Sequence, residues 1–274
     1  MVVGGRGQLA KSFIDYCSNS AQGIELVIID HRNYLNDTSS LPMAIIEHNP
    51  NSVLYFPAIS NEMVINLNED YAKKINSEHA IRISRKCRQH FIQFICFSTT
   101  KVFNEKVGQY SDHERYSFDS TYGRMKSEME VGVLNNHGTV LRISKILDYE
   151  YSLWRKWRND LNSGKGIDVH SKYFIAPVTL NNVDTAIWKL ISLKLTGIFQ
   201  LSNKYEVSFE TIFDLYTDIF NLQKNKLVEN NLVNFLDKPV RHASLLSSAI
   251  FDDPIANSDL VVLDSLKKAR YLLK

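Results

Sequence analysis

The stretch VVGGRGQLA, Val2 to Ala10, decides the reading of the fold. A short apolar run meets Gly4 and Gly7, and a helical pattern follows in which Leu9, Phe13, Ile14 and Cys17 share one face. Strand, glycine turn and helix in that order suit a phosphate. Only glycine lets backbone come close to it, and the helix start supplies N–H groups and a positive dipole. Gly4, Gly7, Gln8 and Leu9 are therefore candidate cofactor-binding residues, and the small Ala10 allows helix and strand to pack tightly. The next apolar run, ELVIID, ends in Asp30, where an acid can accept a hydrogen bond from a ribose 2′-hydroxyl and so favours NAD. Arg32 and Arg6 lie near it in sequence and suit a 2′-phosphate instead, so NAD and NADP both stay open. Only Met1 to Val3 precede Gly4, whereas a strand typically has about 5–6 residues, so the first strand is expected to be unusually short or to lack residues upstream.

Outward from this turn, SVLYFP (Ser52 to Pro57) and FIQFICFS (Phe91 to Ser98) are branched and aromatic without polar alternation, as strands buried on both faces of a parallel sheet are. Pro57 and Ala58, at the end of the first of them, join the cofactor candidates. Between these runs, EDYAKKINSEHAIRISRKC places Tyr71, Ile75, Ile83 and Cys87 at helical spacing. TVLRIS (Thr139 to Ser144) and GIFQLS (Gly197 to Ser202) read as later strands. The alternation predicts an α/β fold, a Rossmann-like doubly wound parallel sheet with a smaller, discontinuous C-terminal substrate lobe. The expected division is a dinucleotide-binding domain over 1–144 and 180–203, and a substrate-binding lobe over 145–179 and 204–274. In the lobe, SLWRKWRNDLNSGKG reads as a helix closed by glycines, and SFETIFDLYTDIF as a helix capped by Ser208. Trp154 and Trp157, three apart, read first as core.

Composition excludes several classes of function. With 44% hydrophobic and 23% charged residues the chain has a globular make-up, and a net charge of +2 gives no footprint for nucleic acid. SRKCRQH, the densest basic cluster, reads as the solvated end of a helix. Three cysteines without ligand or disulfide spacing suit a reducing compartment. The eight histidines show no metal-ligand spacing, so no metal is expected. No signal-peptide pattern and no bilayer-length apolar run is present, and a cytoplasmic location without membrane insertion is expected.

STYGRMKSEMEV, Ser120 to Val131, carries a second signal. Ser120 is a plausible N-cap, and Tyr122 and Lys126 lie one helical turn apart on one face. Of the 13 tyrosines, Tyr122 alone has a lysine four residues on. In isolation such a pair is common helix surface; what precedes it decides its meaning.

In order, VVGGRGQLA, FSTTKVF and YGRMKSEME resemble the motifs of the extended short-chain dehydrogenase/reductase superfamily, and within it the dTDP-4-dehydrorhamnose reductase-like sugar-nucleotide enzymes. LRISKIL, APVTLNNVDTAI and GIFQLSN look like further family segments, so the resemblance spans most of residues 1–203 and thins in the tail. The resemblance implies that Tyr122 is the proton donor to a substrate carbonyl and that Lys126 favours the ionised phenol while binding the nicotinamide ribose. It implies that Thr99, or its neighbour Ser98, hydrogen-bonds the same carbonyl oxygen. Ser98, Thr100, Lys145 and Arg241 fall at positions near the sugar or nucleotide. Departures occur there: Thr100-Lys101 replace the family's Asp-Tyr, Ser144-Lys145-Ile146 replace Thr-Ser-Trp, and RHASLLSS only loosely echoes the C-terminal pattern. The implied function is an NAD(P)-dependent reductase of a nucleotide-activated 4-keto sugar, in surface-polysaccharide synthesis, with a homodimer possible. An epimerase, or a non-catalytic cofactor-binding regulatory subunit of the same fold, stays open beside it. A dehydratase ranks last, since Thr100 and Lys101 lack its usual carboxylates.

Overall fold

The computed structural model describes residues 1–20, 24–30, 32, 40–148, 151–251 and 258–272. The chain begins with β1 (Val2–Val3), α1 (Gln8–Ser20), β2 (Ile28–Ile29), α2 (Ser40–His48) and β3 (Ser52–Tyr55). Next come α3 (Glu62–Leu67), α4 (Glu69–Lys73), α5 (His79–Gln89), β4 (Gln93–Thr99), α6 (Thr121–Leu134) and β5 (Thr139–Ile143). These are followed by α7 (Ser152–Asn162), β6 (Ile167–Val169), β7 (Tyr173–Ile175), α8 (Leu180–Ser192) and β8 (Gly197–Leu201). The last are β9 (Val207–Ser208), α9 (Phe209–Ile219), α10 (Lys224–Glu229), β10 (Val233–Phe235), β11 (Arg241–Ala243) and α11 (Ser258–Leu272).

The chain divides into two compact units. The first comprises Met1–Asn104, Asp112–Ile143 and Asn181–Gln200, and the second Glu105–Ser111, Ser144–Leu180 and Leu201–Lys274. In the first, a six-stranded sheet runs in the order β2-β1-β3-β4-β5-β8, with parallel pairing from β2 through β5. After β2 the chain crosses to the other side of β1 to form β3, so the strand order reverses beside β1. Such a switch point opens a crevice beyond the carboxyl ends of the strands. Val3, Val53, Phe94, Cys96 and Val140 pack with side chains of α2, α5 and α6, and their strand neighbours Val2, Leu54, Ile95 and Leu141 are buried as well, as a sheet covered on both faces requires.

Two elements depart from the sequence pattern. The run Glu25 to Asp30 is strand only at β2, because β1 pairs with it through two residues, Val2 with Ile28 and Val3 with Ile29. The helix expected through Glu69 to Cys87 is interrupted by a π-helical turn, Lys74–Glu78. That turn buries Asn76, whose side chain accepts from Ile59 N at 2.7 Å and donates to Ile59 O at 2.9 Å. Tyr55 OH donates to Ile75 O in the same turn at 3.0 Å. The extra residue satisfies the loop after β3 and leaves Tyr71 exposed, off the apolar face formed by Ile75, Ile83 and Cys87. SRKCRQH closes α5 with Cys87 buried and Arg88 exposed.

In the second unit β6 pairs with β10, and β7 lies between β11 and β9. Its core holds Trp154 and Trp157 of α7 against Phe213 and Tyr216 of α9 and Leu266 of α11. The Trp154 indole N–H donates to Ser265 Oγ at 3.0 Å. Both tryptophans are core residues, and α9 is capped by Ser208, whose hydroxyl accepts from Thr211 N. Among the described residues no helix is long and apolar enough to cross a membrane.

Candidate functional site

At the switch point a cleft of about 330 Å³ is lined by Gly4, Arg6, Gly7, Asp30 and Arg32, and by the segment Phe56 to Ile59 with Tyr71 and Ile75. Gly4 has φ +83°, and a Cβ there would meet Pro57 Cγ at 2.7 Å, so only glycine fits. A Cβ on Gly7 would meet nothing within 4 Å: the backbone before α1 faces open space. A bare glycine turn at the start of a 13-residue helix, facing a cleft, fits the diphosphate of a dinucleotide. The structure thus brings together Gly4, Gly7, Asp30, Arg32, Pro57 and Ala58. Gln8 and Leu9 form the first turn of α1. Tyr71 lines the cleft from α4 and Ile75 from the π turn, which no sequence period announces.

Asp30 is bound to two guanidiniums. Arg32 Nη2 lies 2.6 Å from Oδ2 and Arg32 Nε 2.9 Å from Oδ1, while Arg6 Nη2 lies 3.1 Å from Oδ2. Hydrogen bonds from Arg32, with the charge of Arg6 added, hold this carboxyl well below the usual carboxylate range.

Thr99 ends β4 and caps a 3₁₀ turn, Thr100–Val102, by accepting from Lys101 N at 3.2 Å. Accepting leaves its own hydroxyl proton to donate. The neighbouring Ser98 hydroxyl is buried and, among the described residues, has no hydrogen-bond partner, an unmet polar group at the same strand end. Thr100 is buried as well. Ser120 caps α6, accepting from Gly123 N at 3.1 Å. A Cβ on Gly123 would fall 2.1 Å from Lys101 O, so the first turn of α6 is pressed against the 3₁₀ turn that follows Thr99. Tyr122 and Lys126 thus stand on a helix seated against the strand end that carries Ser98 and Thr99.

Tyr122 packs with Ile65, Ala72 and Met125, and burial, aided by the charge of Glu62, pushes its phenol up to about 12. Lys126 is buried and its ammonium lies 3.2 Å from Met129 Sδ. Burial lowers the Lys126 pKa, opposed in part by Cys96 and Glu130. Burial is the largest influence on both groups, and the charge acting on the Tyr122 phenol is that of Glu62.

Behind this helix lies an ion pair that sequence reading passed over. Arg142 of β5 donates to Glu130 of α6 through Nη2 at 2.7 Å and Nε at 3.1 Å, with exposures of 1% and 0%. Tyr116 OH donates to Glu130 Oε2 at 3.0 Å, and Arg142 Nη1 donates to Gln200 Oε1 at 3.1 Å. The guanidinium lies over the rings of Phe103 and Tyr116 at 5.0 and 5.5 Å. A buried Arg inside an apolar strand was the available signal, and Glu130 four residues after Lys126 was the other half of it.

In the second unit, Lys145 is exposed with its ammonium 5.0 Å from the Tyr151 ring centre. Arg241 Nη1 lies 3.8 Å from the buried Glu105 carboxylate, which also accepts from Tyr173 OH at 3.4 Å. His242 Nδ1 lies 2.7 Å from Glu206 Oε2, and Ser244 Oγ donates to Glu206 Oε1 at 2.5 Å. RHASLLSS is therefore tied into the unit by two glutamates distant in sequence. Among the described residues no group of histidine, cysteine and acidic side chains has the makings of a metal site.

A family profile described as the RmlD substrate binding domain matches residues 1–241. No curated protein matches the chain. Among solved structures, a dTDP-4-dehydrorhamnose reductase of Clostridium acetobutylicum is similar, with 16% identity, TM-score 0.81, and 99% of this chain and 98% of that one covered. So is the dTDP-4-dehydrorhamnose reductase of Bacillus anthracis in complex with NADP, with 16% identity, TM-score 0.80, and coverage of 99% and 96%. A UDP-glucose 4-epimerase of Thermotoga maritima with UDP-glucose is equally similar, with 16% identity, TM-score 0.81, and coverage of 100% and 99%. These likenesses show the fold.

Proposed function

The chain belongs to the RmlD substrate binding domain family, and from that premise we infer that it is an NAD(P)-dependent reductase of a nucleotide-activated 4-keto sugar. The observation that carries the reading is the seating of α6: Tyr122 and Lys126 stand one turn apart on a helix whose first turn packs against the turn capped by Thr99. Reductases of similar structure, one of them in complex with NADP, support it.

Gly4, Gly7 and the start of α1 would hold the diphosphate, and Lys126 would reach the nicotinamide ribose. A bound reduced nicotinamide supplies the hydride. Thr99 donates its hydroxyl proton as a hydrogen bond to the sugar carbonyl. Tyr122, with its phenol raised to about 12, stays protonated across the neutral range and gives that proton to the oxygen as it becomes a hydroxyl. Lys126 then stabilises the phenolate that remains, a charge that burial alone would oppose. The second unit would take the nucleotide sugar, with Lys145 and Arg241 as its candidate bases. The place of the reaction would be surface-polysaccharide synthesis.

The test is loss of absorbance at the reduced-nicotinamide band with NADPH or NADH and a panel of nucleotide-linked 4-keto-6-deoxy sugars. Tyr122→Phe is expected to slow oxidation about 10²–10⁴-fold, the usual worth of a positioned general acid. Equal rates for the variant and the wild type would remove Tyr122 from the mechanism. Cofactor binding without turnover on any sugar would remove the reductase itself.

A further inference from the structure

We propose that the end of the first unit where α5, α6 and α8 run out is a docking surface for an anionic lipid bilayer, with Phe91 entering the headgroup layer and Arg88 and Lys194 facing the lipid phosphates. The proposal goes beyond the reductase reading and does not depend on it.

The three helices end alike. After α5, Phe91 N donates to Arg88 O at 3.3 Å and Ile92 N to Cys87 O at 3.0 Å. After α6, His137 N donates to Leu134 O at 2.9 Å and Gly138 N to Val133 O at 3.0 Å. After α8, Lys194 N donates to Ile191 O at 3.1 Å and Leu195 N to Leu190 O at 3.2 Å. Such paired bonds put one residue in the left-handed region, where glycine is the usual choice. Here Phe91, His137 and Lys194 occupy it, with φ +57°, +55° and +48°. All three line one groove of about 400 Å³, at the turns that lead into β4, β5 and β8. These are the amino ends of β4 and β5, away from the crevice at the carboxyl ends.

Phe91 gains no packing inside the chain in return for its backbone strain, since it is 98% exposed. A strained, fully exposed aromatic residue points to a contact outside the chain. Leu193, beside Lys194 at the end of α8, is 56% exposed. Charge then selects the partner. Residues 79–104, 131–147 and 185–205, which supply these helix ends and turns, contain no aspartate or glutamate. Arg88 and Lys194 are exposed and, among the described residues, form no ion pair; Arg88 donates to Asn135 O at 2.9 Å. Cations at helix ends offset the helix dipole, which accounts for Arg88 but not for the exposed Phe91. The amides lining the groove are spent within the unit, Gln93 on Leu190 O and Leu195 O, and Asn136 on Ile81 O and Gly132 O. A peptide backbone would find few donors there. A bilayer needs none: it takes an aromatic ring at headgroup level and cations against its phosphates.

The test is co-sedimentation of the full chain with vesicles of phosphatidylcholine alone, and of phosphatidylcholine and phosphatidylglycerol in equal parts. Binding to the anionic vesicles is expected to be at least about tenfold stronger, the scale of two cations at an anionic surface, and to weaken with added salt. Phe91→Gly separates docking from a structural role. Glycine relieves the left-handed strain, so the melting temperature is expected to hold or rise while binding to anionic vesicles falls about tenfold. Lys194→Glu is expected to weaken that binding by at least about tenfold. Equal binding to the two vesicle types, sedimentation with neither, or undiminished binding by Phe91→Gly overturns the proposal. Retention on immobilised polyglutamate without vesicle binding overturns the lipid in favour of an acidic protein.

Discussion

At the scale of single residues, burial sets the chemistry of the groups that matter. It raises the Tyr122 phenol and lowers the Lys126 ammonium, so the phenol keeps its proton across the neutral range. The same effect acts on Asp184 of α8. Its carboxyl is buried, accepts from Ser12 Oγ at 2.5 Å, and is pushed up to about 6 by burial despite that hydrogen bond. A carboxyl whose folded value lies above its ordinary 3.8 makes the folded state bind more protons between those limits. Its relative stabilisation is therefore full below about 3.8 and is lost as pH rises through about 6. The cost at pH 8 is on the order of 2–3 kcal/mol. Asp184→Asn is accordingly expected to gain melting temperature over wild type at pH 8 and to lose that advantage at pH 4. Calorimetric melting at the two pH values checks this, and an unchanged difference between them would contradict it.

Elements were legible in sequence where local signals set them. The glycine turn, the uniformly apolar strands β3 and β4, and the serine caps of α6 and α9 all speak through neighbours within a few residues. The rest depends on distant partners. β2 is short because β1 pairs with it at two residues only, and the π turn arises because Asn76 must satisfy the Ile59 backbone. Lys145 and Arg241, expected near an anion, are placed by Tyr151 and Glu105, neither of which their local sequence suggests. Arg142 lay in plain view in TVLRIS, but its partner Glu130 sits on another element. That ion pair joins α6 to β5. Arg142→Met should strand Glu130 as an unpaired buried charge and cost about 3–5 kcal/mol, while Arg142→Met with Glu130→Met should recover most of it. Denaturant unfolding of both variants checks the coupling, and equal losses in the two would show that the pair does not act as a unit.

At the scale of the whole molecule, the chain forms two compact units. The first unit alone contains the glycine turn, the Asp30 cluster, Ser98, Thr99, Tyr122 and Lys126. The second has its own aromatic core around Trp154 and Trp157 and carries Lys145 and Arg241. The doubly wound sheet was readable from the alternation of elements, since each βαβ step leaves a local signature. The organisation of the second unit was less so, because its short strands pair across long stretches, as β6 with β10. The same fold occurs in reductases and in an epimerase, so fold alone does not choose between net reduction and recycling of the cofactor. The fate of the hydride separates the two. We would incubate the chain with NADPH deuterated at the transferable nicotinamide position and a nucleotide-linked 4-keto-6-deoxy sugar, and analyse the product by mass spectrometry and NMR. One deuterium at C4 of the sugar is expected for each cofactor oxidised, with the label nearly absent in Tyr122→Phe. A sugar that changes configuration without net oxidation of the cofactor would contradict it.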